Sequence, residues 1–321
     1  PEPKPYTRVS WLALGAVALL AALYAAYFIA YMVTSHNAFL THAEDLGTMD
    51  QAIWNILHGP LMHQTVCNIV SDTNCYSING ISRFAIHFEP ILFPVSLSYI
   101  FWPDPRTLLV LQTLVVASGA FPAFWLARLR LRSDIAAVAI ALLYLLYPAQ
   151  QQAVTFDFHA VTFTAALLMF TLYFMYTRRT VWMFVFAILA MACKEEIPVI
   201  VAVYGLWSVI FQQRWRSGLA LTGLGVAWVG IYLLVTHFAS PTGHSLLTSR
   251  YNGVFSLLLH PVQLIQQHIL EPQHLQYLKL LLSPAAYLPL LAPWVFILAL
   301  PTLALNLLSS DPQQYSGLFQ Y

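Results

Sequence analysis

Charge is what this chain has least of. Asp, Glu, Lys and Arg make up 8% of its 321 residues and hydrophobic residues 59%, where an ordinary soluble domain carries roughly 25% charged residues. That balance excludes a soluble globule and any long disordered segment. The formal net charge is only +1, which excludes a nucleic-acid binder working through a broad basic face. Glycine-rich phosphate loops and nucleophile elbows are absent. So are internal repeats, low-complexity tracts and any His/Cys spacing of a structural zinc site. No cleavable leader is expected, because Trp11 to Val33 is long enough to span and no small-residue cleavage motif follows it. It reads as a retained signal anchor. The chain opens on Pro1, so at least a methionine is expected ahead of it.

Cysteine is scarce too, with three residues. Cys67 and Cys75 flank the polar loop Asn68 to Asn74. On an extracytoplasmic side, an oxidising compartment favours a disulfide closing that loop, the alternative being two free thiols. Cys193 lies in an apolar run and reads as a small core residue.

What the chain does have is long apolar runs. A span needs roughly 20 apolar residues, fewer where flanking groups snorkel. Candidates are 10–33, 106–127, 134–149, 159–177, 180–193, 197–212 and 217–238, with two more expected in 272–308, breaking near Leu290 to Pro293. This predicts an all-α polytopic bundle of eight or nine spans forming a single domain over 1–321. The run Phe84 to Trp102 decides the topology. Counted as a span, it places Arg128, Arg130, Arg132, Arg178, Arg179, Arg214 and Arg216 outside. Counted as a helix lying in the outer leaflet, it places all of them in the cytoplasm, which the positive-inside rule prefers. The N-terminus is then cytoplasmic, 37–105 is a large first extracytoplasmic loop and 239–271 a second outer segment.

In this topology the acids and histidines collect on the outer face, in Glu44-Asp45, His87-Phe88-Glu89-Pro90, Asp157-Phe158-His159 and Lys194-Glu195-Glu196. Ionisable groups at membrane depth are costly and seldom idle. Five basic residues, Arg83, Arg106, Lys194, Arg250 and Lys279, join them on that disfavoured side, either to hold an anion such as a phosphate or to pair with the acids. Leu46, Met49, Ile53 and Leu57 recur at helical spacing with Gln51, Asn55 and His58 opposite, which predicts an amphipathic interfacial helix. Asp45 stands just before it, as a helix cap or as a carboxylate poised for general-base work. Asp50 falls inside the apolar stripe and requires a partner, an Arg or Trp54. Asp157 has the same two readings as Asp45, and Lys194, Glu195 and Glu196 read as a turn between helices or as a phosphate- or metal-binding corner. The mixed Asp/Glu/His set suits Mg²⁺ or Mn²⁺ weakly.

The segment Glu44-Asp45-Leu46-Gly47 with Asp50-Gln51 and Trp54-Asn55 resembles the first-loop signature of an uncharacterised bacterial family of polytopic membrane proteins. His87-Phe88-Glu89-Pro90, Phe156-Asp157-Phe158-His159, Lys194-Glu195-Glu196 and Asn306-Leu307-Leu308-Ser309 resemble its later motifs, in order. That family is grouped with the GT-C glycosyltransferases. The resemblance implies a GT-C-like fold with juxtamembrane helices in the first outer loop, in the bacterial cytoplasmic membrane. It implies transfer of a sugar from a polyprenyl-phosphate donor with inversion, Asp45 acting as base beside Glu44. Asp50, His87, Glu89, Asp157, His159, Lys194, Glu195, Arg250 and Tyr251 would then bind substrate. The chain closes on Gln320-Tyr321 where a His-Tyr pair and further spans are expected, so a C-terminal part is expected beyond it. Two other classes stay open: a non-catalytic membrane subunit binding a partner or lipid, and a transporter, which the nearly charge-free span centres disfavour.

Overall fold

Ser10 accepts a hydrogen bond from the Ala13 amide and so caps the first apolar run, which continues helical for 27 residues as α1 (Trp11–Asn37). At 1.5 Å per residue this is about 40 Å, enough to cross a hydrocarbon core of about 30 Å. The computed structural model describes residues 10–65, 80–240, 251, 260–309 and 311–315. Among these the chain is helical apart from one antiparallel pair, β1 (His63–Gln64) with β2 (Ile81–Ser82). After α1 come α2 (Thr48–His58), α3 (Leu92–Ser96), α4 (Pro105–Ser118), α5 (Ala120–Leu131), α6 (Asp134–Leu145), α7 (Pro148–Thr155), α8 (Thr164–Tyr176), α9 (Thr180–Met191), α10 (Ile197–Gln212) and α11 (Trp215–Ala239).

Three helices among the described residues are long and apolar enough to span: α1, the continuous α4–α5 stretch and α11. The pair α6 and α7 makes a fourth if counted as one bent span, and four shorter apolar helical stretches follow. Residues 134–149, expected as one straight span, instead bend by 42° between α6 and α7. Pro148 is the cause: it lacks an N–H and holds the preceding Tyr147 in extended geometry (ψ 121°). The stretch 272–308 yields Pro272–Leu282, two 3₁₀ turns and an apolar helical stretch Pro293–Leu308. The first of these has 11 residues, short of a span. Phe84 to Trp102 forms no long helix either, only a turn at Arg83–Ala85, α3 and a turn at Leu97–Ile100.

The chain divides into two compact units, Pro1–Asp50 with Ile91–Ala190, and Gln51–Pro90 with Met191–Tyr321. In the first, α1 packs on α4, α5, α6 and α7. Val17, Ala21, Phe28, Phe124, Ala141 and Leu145 are buried in their common core. Gly119, between α4 and α5, leaves room for the Tyr144 ring of α6, whose hydroxyl donates to the Val116 carbonyl at 3.0 Å. At the far end of α5, Arg128 pairs with Asp134 (2.6 Å) and Arg130 lies over the Tyr176 ring at 4.5 Å. The C-terminal ends of α5 and α8 therefore meet in one basic region.

In the second unit α10 and α11 form an antiparallel pair that closes to backbone contact through Gly205, Gly218 and Gly225, the small-residue mode of packing used by membrane helices. Thr222 adds a hydroxyl bond to the Ala202 carbonyl at 3.1 Å. A Cβ at Gly218 would stand 2.7 Å from the Gly205 carbonyl oxygen, a backbone atom with nowhere to swing. Gly218→Val is therefore expected to force the helices apart and cost about 1–3 kcal/mol, read as a lower unfolding temperature in detergent. Gly230→Val, in open space, should leave that temperature unchanged; equal behaviour of the two variants would disprove the close packing.

Candidate functional site

Beyond α1 the chain turns, with His36 Nδ1 and Thr41 Oγ1 at 2.9 Å, and enters a π-helical turn at Ala43–Gly47. The Thr48 hydroxyl donates to the carbonyls of Glu44 (2.7 Å) and Asp45 (3.0 Å), which fixes that turn. The cap position belongs to His42, and Asp45 sits third in the turn, so Asp45 does not cap the helix. Its carboxylate instead lies 3.3 Å from His159 Nε2. Asp157 also departs from the cap reading. One of its oxygens, Oδ2, accepts the His42 backbone N–H at 2.8 Å and lies 2.9 Å from His42 Nδ1. A contact spanning 115 positions thus joins the segments after α1 and after α7.

Around this pair the first unit builds a rigid backing. Gln112 of α4, fully buried, accepts the His159 N–H at 2.8 Å and turns its amide nitrogen to the Asp157 carbonyl at 3.2 Å. The Phe156 ring stacks with both His42 (centroids 5.9 Å) and His159 (5.4 Å). Asp157 has 3% of its side chain exposed, Asp45 31% and His42 63%. The result is a cleft with a buried carboxylate at its floor and an imidazole at its mouth. One ligand atom each from His42, Asp45 and Asp157 lie within 4.8 Å of one another, the one His/Cys/Asp/Glu grouping of metal-binding size among the described residues.

Glu44 is exposed. Asp50, half-buried on α2 near the buried Met49 and Ile53, finds its partner in neither an Arg nor Trp54. The Tyr99 hydroxyl donates to it. Burial pushes the Asp50 carboxyl up, Tyr99 offsets part of that, and the charge of Asp104 adds to it.

Beside this cluster a groove of about 630 Å³ runs between α1 and α6–α7. Leu20, Leu23, Phe28 and Leu142 give it apolar walls, and Gln151, Gln152 and Thr155 of α7 line its polar end. Thr155 is two residues from Asp157.

The other predicted residues that the structure describes lie in the second unit. His87 Nδ1 meets Glu195 Oε1 at 2.8 Å, and the Phe88 N–H donates to Oε2 at 3.2 Å. Glu89 pairs with Arg83 at 2.8 Å, both buried. Arg83 and, in the first unit, Arg106 with Asp104 thus have acid partners, as the pairing reading of the outer cations expects. Lys194 and Tyr251 are half-buried. Arg250, Cys67 and Cys75 lie outside the described residues.

Burial opposes the charge on Glu195, yet the His87 charge and hydrogen bond, with the charge of Lys194, outweigh it and hold the carboxyl down at about 2. An unfolded glutamate titrates near 4.3, roughly two units higher. A depressed carboxyl stabilises the fold fully above the unfolded value, and that stability is lost as pH falls toward the folded one. The unfolding temperature is therefore expected to drop steeply from about pH 4.5 downward. Glu195→Gln should flatten that fall, and an unchanged slope would remove Glu195 as its source.

Sequence reasoning missed His42, Gln112 and Tyr99, and it named Phe156 only as part of a motif. His42 was within reach, two positions before Glu44 in a stretch already singled out. Gln112 and Tyr99 carry no local signal, since each acts on a residue more than forty positions away. No curated protein matches the chain. The family described as "Predicted membrane protein (DUF2079)" matches residues 35–321, a range that holds the whole cluster, and this chain belongs to that family of membrane proteins.

Proposed function

We propose that this chain is a GT-C-like membrane glycosyltransferase acting on a polyprenyl-phosphate-linked sugar at the extracytoplasmic face of a bacterial cytoplasmic membrane. The observation that carries the reading is the Asp45–His159 and His42–Asp157 cluster standing beside an apolar groove. A lipid-linked donor needs both: a cavity for its isoprenoid chain and a carboxylate where that chain emerges. Asp45 takes the proton of an acceptor hydroxyl as its oxygen attacks the anomeric carbon. The polyprenyl phosphate leaves from the opposite face with the electrons of the broken C–O bond, so the anomeric centre inverts. His159 orients the Asp45 carboxylate for that step. The test is the full-length protein in proteoliposomes with a panel of radiolabelled polyprenyl-phosphate hexoses and pentoses. Label leaving the lipid for a hydroxyl acceptor supports the reading. No release from any donor, in protein that remains folded, would turn it toward a non-catalytic subunit.

The same proposal sets the topology: eight spans if each shorter apolar stretch crosses and the bent pair crosses once, with the arginine ends cytoplasmic. The His42–Asp157 contact supports it, because counting 84–102 as a span would put those residues on opposite sides of the bilayer. Single cysteines at Ser133 and Thr180 are expected to label only from the cytoplasm, and one at Gln151 only from outside. Outside labelling at Ser133 would reverse the assignment.

A further inference from the structure

We infer that His42, Asp45 and Asp157 form a binding site for one divalent transition-metal ion. The donor atoms come from two chain segments and converge to within 4.8 Å. Ligands at about 2.1 Å from a metal stand ~3.0 Å apart when cis and ~4.2 Å when trans. The 2.9 Å hydrogen bond between His42 Nδ1 and Asp157 Oδ2 already matches the length of a cis edge, so the ion enters by displacing the proton between them to solvent. Binding then needs a closing movement of the Asp45 side chain, which is 31% exposed and stays within reach of His159.

The donor chemistry selects the ion. One imidazole nitrogen with two carboxylates suits Mn²⁺ or Zn²⁺ better than Mg²⁺ or Ca²⁺, which favour oxygen throughout. Metal sites keep their ligands aimed through outer partners, and here that part is built. Gln112, fully buried, bonds the backbone at both Asp157 and His159, and His159 holds Asp45 from behind. Phe156 stacks on the His42 ring and sets its plane. The exposed mouth leaves coordination positions for water or for an oxygen of an anionic ligand. A role for the ion in holding the donor phosphate rests on the transferase reading; its binding does not.

Binding is tested on the full-length, tag-free protein in detergent by titration with Mn²⁺, read by the electron paramagnetic resonance of the free ion, with Zn²⁺ as competitor. One Mn²⁺ per chain, displaced by Zn²⁺, is the expected result. His42→Gln and Asp45→Asn should each weaken binding by about 10–100-fold or more, while His58→Gln, an exposed histidine stacked on Trp54, should not. His42 is mostly exposed, so its variant folds even if one at buried Asp157 does not. Absence of a stoichiometric site, or undiminished binding in the His42→Gln/Asp45→Asn double variant, overturns the inference. Metal binding without sugar transfer would sink the transferase reading and leave this one, and sugar transfer by a protein that shows no stoichiometric metal site would do the reverse.

Discussion

Asp45→Asn is expected to slow sugar transfer by roughly 10²–10⁴-fold, the usual contribution of a positioned general base. Asparagine keeps the size of the side chain and an oxygen to face His159, but it cannot take a proton. The π-helical turn that carries residue 45 is held by Thr48 bonding to main-chain carbonyls, so the substitution leaves it intact. The unfolding temperature should therefore match the parent while turnover falls. His159→Gln should give a smaller loss and shift the pH–rate profile, because His159 acts through Asp45 (3.3 Å). Transfer at the parent rate in Asp45→Asn would move the base elsewhere, and Asp157, the buried carboxylate of the same cluster, would be next.

Arg83→Met is expected to destabilise the protein by about 3–5 kcal/mol, because it strands the buried Glu89 carboxylate. Side-chain exposure is 9% for Arg83 and 4% for Glu89, and their atoms meet at 2.8 Å. Water therefore cannot replace the lost guanidinium. The cost lies in the unpaired charge, so Arg83→Met/Glu89→Gln should recover most of the stability. Thermal unfolding in detergent distinguishes the cases. If the single variant is as stable as the parent, the pair contributes little, and if the double is no better than the single, the loss comes from packing of the arginine stem.

Helices were the most legible part of this sequence. The 16-residue α10 spans the predicted 197–212 without adjustment, and α11 exceeds its prediction by two residues at the start and one at the end. Apolar runs bounded by charge locate such helices because the charged residues mark where each run ends. Breaks inside a run were less legible. Pro148 was visible but lies within an apolar stretch, and whether a proline bends or ends a helix depends on its neighbours. At the site, residue types were legible and partners were not. Asp50 inside an apolar stripe announced that it needed a partner, but only folding reveals that residue 99 supplies it. Asp45 and Asp157 each admitted a helix-cap reading beside a functional one, because local pattern always offers a local explanation. The contact with His42 comes from packing α1 against α7, which neither segment encodes alone.

Gly119 and Tyr144 carry an implication for how such a sequence can drift over time. The phenol ring occupies the space that any side chain at 119 would need, and its hydroxyl holds a main-chain carbonyl one turn earlier, at Val116. A larger residue at 119 is admissible only after 144 has shrunk, and a shrunken 144 leaves a void that a larger 119 fills. Neither change is tolerated first without a passing loss of fitness. Across lineages the two positions should therefore be inherited as a couple, glycine with tyrosine or a bulkier residue with a smaller one, with the crossed pairings rare.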